Sequence, residues 1–323
     1  MRGLGWLSVV GVVFSGQAMA ACSVVTTLPA SFGSISSMTV RTAAQATSTA
    51  NSGLSCTSAL ISLLVSSDHF YATITSSKTG MVGPTGDVIG YTIYANNSTS
   101  FPITRGAQFD FGGAGGIAQS IGLIAGPGSK TVPLYVSSIT GSNVAAGLYT
   151  ETLNIAWNWN YCSGIGIGGV CLGRDIGSGT AALTVSMTVT NDCQITAPNI
   201  SFGSAPVISG FTTVTGQASI SCTKGSAYSV GLSDGQNSVS AGGRRRMISG
   251  SNYLAYDIFK SAGTTRWGSV GAARRDSSTA EVNPGNGLGT GSQVFNYNAR
   301  IYSDQTTPPA GTYLDNVVLD VGF

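Results

Sequence analysis

Of 323 residues only 9% are charged, and the formal net charge of +2 gives no case for nucleic acid or an anionic membrane as a partner. A hydrophobic fraction of 42% suffices for a core in each of two domains of ordinary size, and 45 glycines beside few lysines describe a chain whose contacts do not rest on charge. No stretch after residue 20 approaches the length of a membrane span.

Residues 1–20 read as a secretory signal. Arg2 supplies the charge, Leu4 to Phe14 the short apolar run, and Ala18-Met19-Ala20 a small-residue cleavage site, so the mature chain is expected to begin near Ala21. A lipoprotein with Cys22 acylated is the alternative. It is weakened by Met19, which stands where a lipobox prefers Leu, and by the structural counterpart that Cys22 has in Cys193.

That counterpart belongs to an internal duplication. Cys22 and Ser31-Phe32-Gly33 match Cys193 and Ser201-Phe202-Gly203, and Cys56 matches Cys222. Ile89 to Tyr94 matches Leu254 to Phe259, and Ala146-Gly147-Leu148-Tyr149 matches Ala310-Gly311-Thr312-Tyr313. Six cysteines in an exported chain imply disulfides, and the repeat symmetry narrows the pairing to Cys22 with Cys56, Cys193 with Cys222, and the remaining Cys162 with Cys171. With no CxxC and a single histidine, His69, zinc ligation is not expected, nor is any other metal or cofactor.

Helical periodicity is nearly absent and period-two alternation is common, which predicts an all-β protein of two immunoglobulin-like β-sandwich domains. The last strand of the first copy alternates Leu153, Ile155, Trp157, Trp159 and Tyr161 with polar or small neighbours. After a loop, a further strand from Ala181 to Thr190 sets Leu183, Val185, Met187 and Val189 on one face. The second copy ends on Val317, Leu319, Val321 and Phe323, with no strand after them to cover the face. Burying four such side chains is worth about 6 to 12 kcal/mol, comparable with the stability of a small domain. The second sandwich is therefore expected to lack its last strand and to accept one from a partner; completeness in six strands is the alternative.

Residues 193–323 resemble the spore coat protein U domain. The resemblance is carried by the opening cysteine, Phe202-Gly203, Ile220-Ser221-Cys222-Thr223, Arg245-Arg246-Met247, Tyr253-Leu254-Ala255-Tyr256, Trp267-Gly268 and Pro309 to Asp315. The first half shares the cysteines, Ser31-Phe32-Gly33, the Tyr91 strand and Gly147 to Tyr149, but lacks the Arg-Arg-Met and Trp-Gly elements. The resemblance implies a pilin-type subunit of an archaic, Csu-like chaperone-usher pilus, and the two-domain architecture is similar to that of a tip adhesin serving surface attachment and biofilm formation. It implies donor-strand complementation, with a periplasmic pilus chaperone, an outer-membrane usher and the N-terminal donor strand of the next subunit as partners. On this reading residues 21–179 form the adhesin domain, 180–190 its donor strand and the linker, and 191–323 the pilin domain. Only Ala21 precedes Cys22 in the mature chain, which leaves no donor extension and suits a distal, extracellular position on the fibre.

In an immunoglobulin-like strand order the loops after the second, fourth and sixth strands share the end away from the linker. In the first copy these contain Leu60, Ile61, Leu63, Leu64 and Val65, then Ile117, Ile121, Leu123 and Ile124, and finally Ile165, Ile167 and Val170 between Cys162 and Cys171. Three apolar loops at one pole exceed the patch expected on a monomer and point to contact with an abiotic or host surface. The alternative is that Ala59 to Val65, and likewise Ile165, Ile167 and Val170, extend strands into the core. Gly164 to Gly169 matches GxGxxG without the strand-then-helix context, Arg244-Arg245-Arg246 suits a solvated loop or family element, and His69 beside Asp68 has no serine or metal partner. No catalytic pair can be chosen, so no enzyme is expected. The rival functions are a glycan-binding lectin using Trp157, Trp159 and Tyr161, and a structural subunit without adhesive role.

Overall fold

The computed structural model describes residues 21–47, 50–58, 67–113, 128–167 and 170–323. The first copy contributes β1 (Ala21–Val24), β2 (Ala30–Ser36), α1 (Ser37–Thr42), β3 (Ala50–Ser58), β4 (His69–Thr75), β5 (Met81–Val82), β6 (Val88–Ile89), β7 (Tyr91–Tyr94), β8 (Pro102–Ile103), β9 (Gln108–Asp110), β10 (Gly128–Ser138), β11 (Gly147–Ile167) and β12 (Val170–Thr190). One sheet runs β1-β3-β10-β7-β8 and the facing one β2-β12-β11-β4-β9, with β5 and β6 appended to β11. Alternation decides which face each strand buries: in β11, Tyr149, Leu153, Ile155, Trp157 and Trp159 are buried, while Thr152, Asn154, Ala156 and Asn158 are exposed. The two inner faces interdigitate in a single core.

The second copy follows after Asn191-Asp192 with β13 (Cys193–Thr196), β14 (Val214–Cys222), β15 (Ser229–Leu232), β16 (Arg245–Ser249), β17 (Asn252–Lys260), β18 (Arg275–Asp276), β19 (Gln293–Ile301) and β20 (Leu319–Gly322). Its first sheet, β13-β14-β19-β17-β16, repeats the first copy's order over β1-β3-β10-β7, but its fifth strand β16 precedes β17 in the chain where β8 follows β7, and its second sheet is β18-β15-β20. The chain is thus two immunoglobulin-like β-sandwiches, the second without its last strand.

The repeat is visible in detail. Gly33 and Gly203 share a left-handed φ of 74° and 72°, a conformation that favours glycine after Phe32 and Phe202. Tyr149 donates to the carbonyl of Ala145 and Tyr313 to that of Pro309, both at 2.8 Å, the tyrosine corner that opens the sixth strand of such sandwiches. Cys22–Cys56 and Cys193–Cys222 tie β1 to β3 and β13 to β14 at matching registers.

The two sandwiches meet at a polar junction. The buried Thr223 hydroxyl donates to the carbonyl of Asp192, accepts from its N–H, and shares a 2.6 Å hydrogen bond with Ser37. Lys224 pairs with Asp87 at 2.5 Å, Asn143 donates to the carbonyl of Leu288 at 3.0 Å, and Arg41 reaches that of Gly289. Burial pushes the Asp87 carboxyl up, but Lys224 and the Ala145 N–H outweigh it and hold it below the usual carboxylate range.

Candidate functional site

In the first sandwich β12 lies between two neighbours. It runs antiparallel to β11, with Leu183 opposite Leu153, Val185 opposite Glu151 and Met187 opposite Tyr149, and parallel to β2, with Val185 beside Ala30 and Val189 beside Ile35. Leu183, Val185, Met187 and Val189 are all buried in the core. Phe32, Tyr149, Leu153 and Ile155, on the flanking strands β2 and β11, are buried alongside them.

The second sandwich presents the same lining, and among the described residues no strand is laid over it. Gly311, Tyr313, Val317 and Leu319 correspond to Gly147, Tyr149, Leu153 and Ile155, and Phe202 to Phe32. Phe202, Tyr313, Val317 and Leu319 are only half-buried. Between residues 197–208 and 307–319 run two adjoining cavities of about 560 and 540 Å³, lined by Ile200, Phe202, Met247, Tyr313, Val317 and Leu319 among others. Here β20 pairs with β15 along one edge, and among the described residues no strand occupies the other. The face expected to accept a strand is less regular than its alternation suggests: Val317 precedes the paired segment, Val321 packs on the core, and Phe323 is 59% exposed. Phe323 is therefore no part of the closed core.

At the opposite end of the molecule the expected loop between Cys162 and Cys171 is instead the end of a hairpin. β11 and β12 stay paired from Gly147↔Val189 out to Ile167↔Val170, with a bulge after Cys162 and the Cys162–Cys171 disulfide across it. The strand that fills the first sandwich thus begins at Val170, not near Ala181. Glycines that read as loop are there for close approach: a Cβ at Gly177 would stand 2.4 Å from the Trp159 ring, and one at Gly179 2.5 Å from Val24. Val170 and Ile176 on this hairpin are 64% and 68% exposed. Ile165 and Ile167 lie on β11 near the turn, and their side chains fall outside the described residues, as do all of Leu60, Ile61, Leu63, Leu64, Val65, Ile117, Ile121, Leu123 and Ile124.

The aromatic platform proposed for a lectin is absent from the surface. Trp157, Trp159 and Tyr161 are buried, with Tyr161 donating to Asp175 at 2.8 Å and Trp157 to the carbonyl of Ser52. Polar side chains flank this end: Arg174 pairs with Asp68, and His69 bonds to Asn158 at 2.8 Å.

Two charged features were missed from sequence. Arg245 is no solvated loop residue. Its guanidinium is fully buried, pairs with Asp257 at 2.5 Å and donates to the carbonyls of Leu232, Ser233 and Trp267. Only Arg244 of the triplet forms an exposed pair, with Asp304. The second feature is an inward-facing carboxylate at one position in both copies, Glu151 and Asp315; the alternation that placed Leu153 and Val317 inside was the available signal. Glu151 is fully buried and held by a forked bond from Arg105 at 2.6 and 3.1 Å. Burial pushes its carboxyl up, but Arg105 outweighs this and sets it below the usual carboxylate range. A depressed folded-state value stabilises above the ordinary carboxylate pKa and ceases to do so as pH falls through the depressed one. Glu151→Gln should accordingly flatten the acid limb of the first domain's stability, followed by chemical unfolding across pH.

The family model for the Spore Coat Protein U domain matches residues 10–156 and 179–320. The CsuC–CsuE chaperone–tip adhesion subunit pre-assembly complex, from archaic chaperone-usher Csu pili of Acinetobacter baumannii, contains a chain 26% identical to this one. The match has a TM-score of 0.64 and covers 94% of this chain and all of that one. The CupB6 tip adhesin of Pseudomonas aeruginosa is 14% identical with a TM-score of 0.31, covering 94% and 93% of the two chains. CfaE, the adhesive subunit of CFA/I fimbria of enterotoxigenic Escherichia coli, is 11% identical with a TM-score of 0.29, covering 91% and 92%. No curated protein sequence matches.

Proposed function

This chain belongs to the Spore Coat Protein U domain family, and on that premise we propose that it is the tip adhesin subunit of an archaic chaperone-usher pilus, not an enzyme. The observation that carries the proposal is the contrast between two copies of one sandwich: the first has β12 between β2 and β11, and the second has an apolar groove in the same place. Residues 180–190, the inner part of β12, act as the built-in donor strand of the first domain, and the same strand continues out to Val170. The groove of the second domain, residues 191–323, takes a strand first from a periplasmic chaperone and then, at the outer-membrane usher, from the N-terminal donor strand of the next subunit. An extended segment with alternating apolar side chains satisfies both the open edge of β20 and the lining beneath it. The protein is exported through the periplasm and works outside the cell.

Surface attachment, and the biofilm that follows from it, is assigned to the far end. There Val170 and Ile176 are exposed on the hairpin; the apolar segments 60–65 and 117–124, which lie outside the described residues, are assigned to the same contact on their sequence alone. Burial of Trp157, Trp159 and Tyr161 disfavours the lectin reading. Gold labelling of pili carrying tagged protein should mark fibre ends, and replacing Leu63, Leu64, Ile165 and Ile167 by serine should abolish attachment to plastic while leaving fibres assembled. Label along the shafts overturns the tip assignment, and undiminished attachment overturns the apolar contact.

A further inference from the structure

The groove of the second sandwich is not wholly apolar. Asp315 lies on its wall between Tyr313 and Val317 and takes the place that Glu151 holds between Tyr149 and Leu153. Tyr256, the counterpart of Tyr91, donates to it at 2.8 Å, and the N–H groups of Gln236 and Asn316 do so at 2.8 and 2.9 Å. In the first sandwich the corresponding acid is neutralised within the chain by Arg105, which also stacks 4.6 Å over the Tyr91 ring. No such cation serves Asp315. The pairing of Phe259 with Arg266 repeats that of Tyr94 with Pro102, so Ser269 stands where Arg105 would be. Arg245 belongs to the same cluster, but its donors go to Asp257 and three backbone carbonyls; Arg266 is taken by Asp257 and Asp234. Among the described residues no ion pair reaches Asp315.

While the groove is open, water reaches this half-buried carboxylate. A strand laid across it removes that water, and a carboxylate enclosed without a cation is costly. The closed copy shows which position of the strand is concerned: Glu151 faces Val185 of β12, and side chains directly opposite on neighbouring strands are within reach of one another. We propose that the strand filling the second groove carries an arginine or lysine at the position equivalent to Val185, where it pairs with Asp315. The proposal rests on the open-groove reading and adds a requirement to it. An apolar alternation alone fits this groove in any register shifted by two residues, whereas one buried charge pair admits a single register.

The test uses the mature chain and fluorescent peptides copying residues 180–190, read by anisotropy. A peptide with Val185→Arg should bind about tenfold more tightly than the unchanged peptide, the scale of one charge-assisted hydrogen-bonded pair, and one with Val185→Glu more weakly. The arginine preference should vanish in the Asp315→Asn chain, whose folding is checked by Trp267 emission. Equal affinity of the arginine, valine and glutamate peptides, or an arginine preference that survives Asp315→Asn, overturns the proposal and leaves the groove reading standing. If no peptide binds, or if one with serine at Leu183, Met187 and Val189 binds as well as the others, the groove reading itself fails and the proposal with it.

Discussion

Replacing Leu183 and Val185 together by serine is expected to unfold the first sandwich and leave the second folded. Both side chains are completely buried between β11 and β2. Large-to-small changes at such sites cost about 2 to 5 kcal/mol each, and each new hydroxyl is enclosed among apolar neighbours. The combined loss reaches the range of a whole domain's stability, about 5 to 15 kcal/mol. The two halves report separately, because Trp157 and Trp159 sit in the first core and Trp267 in the second. In a denaturant titration the transition of the first pair should disappear while that of Trp267 persists. Two unchanged transitions would show that β12 is not what holds the first sandwich together.

Asp257→Ala is expected to cost the second sandwich about 3 to 5 kcal/mol, because it strands the buried Arg245 guanidinium without a counter-charge. Arg266 loses a 2.9 Å partner at the same time, though it keeps Asp234. Replacing the pair, Arg245→Met with Asp257→Leu, should recover most of the loss, since well-packed apolar residues often replace a buried ion pair at little cost. Urea unfolding followed at Trp267 measures both, and equal destabilisation by the single and double changes would refute the account.

Most of the architecture was legible in the residues. Strict alternation through Leu153 to Tyr161 and Leu183 to Val189 identified two strands with one buried face each, and ordered landmarks such as Phe32 with Phe202 identified the copy that lacked one. What escaped notice follows from how each residue is used. Gly164 to Gly179 resembles a loop because glycine enrichment is the ordinary mark of one, whereas here Gly177 and Gly179 let β12 pass over Trp159 and Val24. Arg245 is hidden because arginine ordinarily belongs at the surface, and the cluster that satisfies it gathers Asp257, Leu232 and Trp267 from separate strands and turns. The single-turn helix at Ser37–Thr42 is too short for a helical period; its signal is local, with the Ser36 hydroxyl accepting from the Thr39 N–H.

The length of β12 has a mechanical consequence. Its 21 residues, extended over about 70 Å at the usual rise of a strand, connect the hairpin turn directly to the two-residue link before the second sandwich. Tension between those points travels along covalent backbone that is already nearly taut, so β12 has little slack to release before its hydrogen bonds to β11 and β2 bear load.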